Sequence, residues 1–333
     1  MTEQAPTTVP SSTPSGLDPA NEYSAPRNQW LDVWDQFKKH RGALIGMIVF
    51  LSILAGVFVG PYVWTKDPQF VPPVVEMIKV RDTRPIYQAL WDSDAKVSWA
   101  FPLGSDNLGR DYLSRMMAGG QVSITVGLAA MALSLLLGTL VGVLAGYFKR
   151  LDGPLMRFTD LFLALPLLPL LLVAVLLFRD PLAAALGPEG GVFVLIVTLV
   201  GITSWMQTAR IVRGDVLALK EREFVIAARS IGTPSRRIVG RHILPNVMSP
   251  IMVSATLGIA TAIITESALS FLGFGFPPDF PTWGRLLFDS VDRMTLYPER
   301  VVWPGLAISI TVLSVNYIGD GLRDALDPRI RGR

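Results

Sequence analysis

Apolar residues along this chain gather into six long runs, at about 42–64, 121–148, 154–178, 191–209, 249–273 and 301–318. A helix needs ~20 residues to cross ~30 Å of hydrocarbon, and each run is near or above that length, the fourth and sixth being the shortest. The pattern predicts an all-α integral membrane protein with six transmembrane helices. Upstream of the first run, Trp30, Trp34 and Phe37 recur at i, i+4, i+7 beside Lys38, Lys39 and Arg41. That spacing predicts an amphipathic approach helix, aromatic toward the interface and basic toward the headgroups.

The domain layout follows from the runs. Residues 1–40 form a tail with the approach helix, 41–64 the first span, and 65–120 an external loop long enough to fold as a small cap. Residues 121–318 hold a five-helix core with a cytoplasmic loop at 210–248, and 319–333 close the chain. Orientation rests on the basic residues: with the N-terminus inside, 19 of the 30 lysines and arginines fall on inner segments, so both termini are placed in the cytoplasm.

Composition narrows the classes. Half of the residues are hydrophobic and only 17% are charged, against about 25% for a soluble domain. A net charge of +3 is small and dispersed; it suits loops at an anionic bilayer and gives no ground for a nucleic-acid partner. With no cysteine and two histidines, His40 and His242, thiolate and histidine-rich metal centres are excluded. The first 26 residues, rich in Ser, Thr, Pro and Ala, read as a disordered tail. No Gly-Lys dipeptide is present to form a phosphate-binding loop, and neither HExxH nor GxSxG occurs. No catalytic residue is expected.

Two runs carry ridges of small residues at four-residue spacing. The second has Ala130, Ser134, Gly138, Gly142 and Gly146; the fifth has Ser254, Gly258, Ala262, Glu266 and Ser270. Small ridges let helix backbones approach closely in lipid, here inside the subunit or against a partner. Glu266 places a carboxyl at membrane depth, where it faces water or a partner. Two readings stay open: a wall or gate of a pathway, with Gly258, Ala262 and Ser270 beside it, or a structural hydrogen bond. Arg157 and Asp160 stand at i, i+3 and are expected to pair with each other or with a neighbouring loop. Pro166 and Pro169 are expected to kink the third run.

Between the fourth and fifth runs lies 223–246, EFVIAARSIGTPSRRIVGRHILPN. Its Ala227-Ala228 pair, Gly232 four residues on, and Leu244-Pro245 resemble the EAA loop of importer-type ABC permeases. Further blocks match the oligopeptide/dipeptide (and nickel) branch, in its second, C-type membrane subunit: FPLGSDNLGRDYLSRMMAGG at 101–120, RFTDLFLALP at 157–166, ESALSFLGFG at 266–275 with PTWG at 281–284, and GDGLRDALDP at 319–328. Where the EAA loop has its glutamate this chain has Ile226, and an isoleucine position carries His242; the acidic role passes to Glu223 or Glu221, a turn earlier.

The resemblance implies a type I ABC importer permease (MetI-like) fold in a bacterial or archaeal cytoplasmic membrane. It implies a second homologous permease subunit, two cytoplasmic ATPase domains carrying ATP and Mg, and an extracytoplasmic substrate-binding protein. The cargo implied is di- and oligopeptides, or alternatively nickel, an antibiotic peptide or an oligosaccharide. Coupling to the ATPases falls on Glu221, Glu223, Ala227, Ala228, Gly232, Pro234, Leu244 and Pro245, and Arg222, Arg229, Arg236 and Arg237 add ionic contacts or simply positive-inside charge. The residue types suit a stiff lever. Alanines give helix with little bulk, Gly232 can end it in a left-handed cap, and Pro234 suits the first turn of a second helix.

Overall fold

A computed structural model describes residues 29–90 and 92–326. The tail reading of residues 1–26, the side chain of Trp30, Trp91, and the chain from Asp327 onward with its arginines lie outside the described residues.

Thirteen α-helices run through the described residues. They are α1 Gln29–Lys39, α2 Arg41–Phe58, α3 Gly60–Val63, α4 Val74–Val80, α5 Tyr112–Tyr147, α6 Lys149–Ala164, α7 Leu167–Leu186, α8 Pro188–Leu219, α9 Glu223–Ser230, α10 Ser235–Ile238, α11 Met248–Phe271, α12 Trp283–Val291 and α13 Glu299–Leu326. Six are long and apolar enough to cross a membrane: α2, α5, α7, α8, α11 with the turns leading into it, and α13. Local chemistry sets several starts. The Asp111 carboxylate accepts the Ser114 N–H at 2.9 Å and caps α5, Thr282 caps α12 through the Arg285 N–H, and His40 Nδ1 caps α2 by accepting the Ala43 N–H.

The boundaries differ from the apolar runs in instructive ways. The run at 154–178 is not one helix. A residue before proline is pushed out of the α region, and Leu165, ahead of Pro166, sits at ψ 137. The chain therefore breaks between α6 and α7, and the third span begins at Leu167. Pro169 lies in the first turn of α7, where it removes no needed donor. α5 starts nine residues before the second run because Asp111 supplies the cap. α8 and α13 extend well past the fourth and sixth runs, into polar sequence, to 32 and 28 residues.

α5 and α8 are the central pair. A Cβ placed on Gly138 would lie 2.7 Å from the Trp205 carbonyl oxygen, and one on Gly142 would lie 2.7 Å from that of Ala209. The small ridge of the second run thus packs inside the subunit, backbone on backbone, against α8. α11 joins them through a 2.9 Å bond between the Thr208 and Ser254 hydroxyls. α1 folds back on α13, burying Val33 and Phe37 against Ala43 and Ala325. The expected aromatic face is therefore split: Phe37 turns inward and Trp34 outward, still stacked at 5.8 Å. Arg157 and Asp160 do not pair; Asp160 reaches Arg210 on α8 at 2.5 Å, as Asp152 reaches Arg213.

Candidate functional site

The segment joining α8 to α11, residues 220–247, forms a bent connector at one end of the bundle. α9 ends in paired bonds, Thr233 N–H to Ala228 O at 3.1 Å and Gly232 N–H to Arg229 O at 3.0 Å. This is the Schellman pattern, which needs a left-handed residue at its fifth position. Gly232 supplies it at φ +78. Pro234 stands one residue ahead of α10, as its cap residue rather than in its first turn. A π turn over Val239–Ile243 and a 3-10 turn over Leu244–Val247, with Pro245 in its first turn, lead into α11.

One face of the connector is anchored. Val225, Ala228, Ile238, Ile243 and Val247 are buried against Val143 of α5, Val212 and Val216 of α8, and Ile251 of α11. Lys220 Nζ donates to the Gly146 carbonyl at 3.1 Å, fixing the stem. The other face is open. Phe224, Ile226 and Ile231 are exposed, Ile231 to 83%, and so are Ala227, Gly232, Pro234, Leu244, Pro245, Glu221 and Glu223. The structure thus brings the expected coupling residues onto one element and presents most of them outward. Ala228 faces inward instead.

A cavity of about 860 Å³ runs beside α8 and α11 and is also lined by residues of α6, α7 and the end of α13. Gly258 lines it; Ala262, Glu266 and Ser270 do not. Glu266 is fully buried. Its carboxylate accepts the Ser123 hydroxyl at 2.9 Å and the Ser270 hydroxyl at 2.7 Å. Ser123 Oγ in turn accepts the Trp283 N–H at 3.2 Å. The carboxyl therefore ties α5, α11 and α12 together, the geometry of the structural alternative. Polar wall residues that the sequence reading passed over include Thr203, Gln207, Thr261 and Thr265. Their signal was uncharged polar side chains recurring at i, i+4 within apolar runs.

At the opposite end, residues 64–111 fold as a cap around buried charge. Asp106 meets Arg110 at 2.7 Å and Arg115 at 2.6 Å. Burial pushes the Asp106 carboxyl up, but the two guanidiniums outweigh it and hold the group below its usual range. Arg115 also reaches Asp289 of α12 at 3.4 Å, and Asp82 reaches Arg300 of α13 at 3.0 Å. The Tyr112 hydroxyl donates to the Arg300 carbonyl. Gly104 and Gly109 adopt φ +84 and +75. The block at 101–120 is thus a latch between the cap and the helix ends.

Residues 134–332 match the family described as binding-protein-dependent transport system inner membrane component. The chain belongs to that family. Residues 28–77 match the N-terminal transmembrane domain of oligopeptide transport permease C. The permease is 36% identical to the oligopeptide transport system permease protein OppC of Bacillus subtilis over 304 residues, covering 91% of this chain and 90% of that one. It is 37% identical to the di/tripeptide transport system permease protein DppC of Pseudomonas aeruginosa, covering 94% and 96%. It is 34% identical to the glutathione transport system permease protein GsiD of Pectobacterium atrosepticum, covering 92% and 93%. The family expected from the 223–246 loop and its companion blocks is the one found, and with it a multi-pass membrane protein of the importer permease fold.

Proposed function

We propose that this chain is one of two homologous membrane subunits of an ATP-driven importer of di- and oligopeptides, and that its connector seats in a cytoplasmic ATPase. ATP and Mg belong to the partner ATPases, and an extracytoplasmic binding protein delivers cargo at the cap end. The carrying observation is the two-faced connector. An apolar face buried in α5, α8 and α11 transmits force, while Phe224, Ile226 and Ile231 stay exposed among arginines. Exposed apolar side chains rimmed by charge mark a protein contact. The described chain ends agree with a cytoplasmic placement of both termini, since α1 and the end of α13 pack together at the connector end, His40 standing 3.7 Å from Asp324. The relatives named for oligopeptide, di/tripeptide and glutathione transport support a peptide cargo.

Gly232→Trp tests the coupling role. A Cβ at Gly232 meets nothing within 4 Å in this chain, so a side chain starts there into open space, with a φ strain of about 1–2 kcal/mol. Peptide uptake in proteoliposomes holding the whole complex should fall at least tenfold, with ATP hydrolysis no longer stimulated by loaded binding protein. Unchanged uptake and stimulation would refute the assignment. Competition of labelled peptide by nickel or an oligosaccharide, in place of unlabelled peptide, would move the cargo to those alternatives.

A further inference from the structure

We propose that Asp215 and Arg323 form an end-group subsite in the cavity, taking the α-ammonium and the α-carboxylate of a short zwitterionic peptide. The proposal deepens the peptide-importer reading and rests on it. Among the residues lining the cavity, these are the two ionisable ones, of opposite sign, on different helices. Asp215 continues the stripe of α8 that faces the cavity through Gln207, Thr208 and Ile211; Arg323 stands one turn before Leu326 on α13, which lines it as well.

Several charges near them are already paired. Arg210 is paired with Asp160 and Arg213 with Asp152, while Asp324 faces His40. Asp215 and Arg323 join no ion pair among the described residues, with each other or with anything else, so both heads are free for a ligand.

Their position fits the role. Along α11 the cavity extends from Ser249 to Thr265, roughly 24 Å at a rise of ~1.5 Å per residue. Both charges lie at the connector end with Ser249 and Leu326, while the remaining wall is hydroxyl, amide and apolar. A passage that accepts peptides of varied side chains can recognise only what all of them share, namely backbone amides and charged ends. Hydroxyls suit the first, and one carboxylate with one guanidinium suit the second, through charge-assisted hydrogen bonds.

The test uses the purified complex with its ATPases in lipid nanodiscs, without nucleotide or binding protein. Binding of Ala-Phe-Ala, its N-acetyl form and its C-amide form is read by saturation-transfer NMR. Each block should weaken binding to the wild-type complex about tenfold, the loss of one charge-assisted contact. In Asp215→Asn, N-acetylation should cease to matter while amidation still does; Arg323→Gln should show the converse. The proposal is overturned if the wild type binds none of the three, or if the variants discriminate as the wild type does. It is also overturned if Asp215→Arg and Arg323→Asp each abolish uptake and together restore it, which would make the two residues each other's partner. Peptide uptake by the wild-type complex with its binding protein is scored separately, and its absence would instead sink the peptide-importer reading.

Discussion

The cap and the connector close opposite ends of α5, and they use charge in opposite ways. At the cap end, Asp82, Asp106 and Arg110 of the cap, Arg115 of α5 and Arg300 of α13 are all engaged with one another or with α12. The connector carries Glu221, Arg222, Glu223, Arg229, Arg236, Arg237 and Arg241, yet among the described residues none of these side chains joins an intramolecular ion pair; apolar burial and the Lys220 hydrogen bond to Gly146 hold it. A region whose charges are internally satisfied resists displacement. One whose charges face outward is prepared for a partner that arrives.

The largest test of this contrast is Asp106→Ala, which strands the buried Arg110 guanidinium and leaves Arg115 only its longer contact to Asp289. Breaking a buried pair typically destabilises by about 3–5 kcal/mol, so backbone amides of residues 82–111 should lose hydrogen-exchange protection while those of the connector keep theirs. Equal loss at both ends would erase the distinction. The converse variant, Ile243→Ala, removes a fully buried side chain from the connector's apolar seat. It should cost ~2–5 kcal/mol locally, raise exchange in 223–247 only, and lower the uptake obtained per ATP hydrolysed. The smallest effect is titration of Asp106. Its folded pKa lies below the ordinary 3.8, so its contribution is complete above that value and is lost as pH falls through the lower folded one. Between about pH 5 and pH 3 the thermal midpoint should drop more in the wild type than in Asp106→Asn.

The helices and the connector were legible in the sequence because each rests on local chemistry. Apolar length marks a span, and Ala227-Ala228, Gly232 and Pro234 mark a helix, its left-handed end and a restart. The break at Leu165 was legible in principle, since Pro166 dictates it, but an unbroken apolar run concealed it. The cap was legible as a long loop, but its charge network was not. Asp106, Arg115, Asp289 and Arg300 are scattered along the chain, and only the folded ends of α5, α12 and α13 bring them together. Glu266 shows the same limit. Its four-residue spacing gave the ridge, but whether the carboxyl met water or serines depended on Ser123, in another helix.

The glycine contacts between α5 and α8 have a mechanical corollary. With Gly138 and Gly142 seated against opposing carbonyls and Val216 filling the space beside Gly146, neither helix can slide along the other without collision. The two behave as a single strut, braced near one tip by Glu266 and gripped at the other by Lys220 and Val225. A displacement at Val225 would therefore reach the far rim as a tilt of the whole strut.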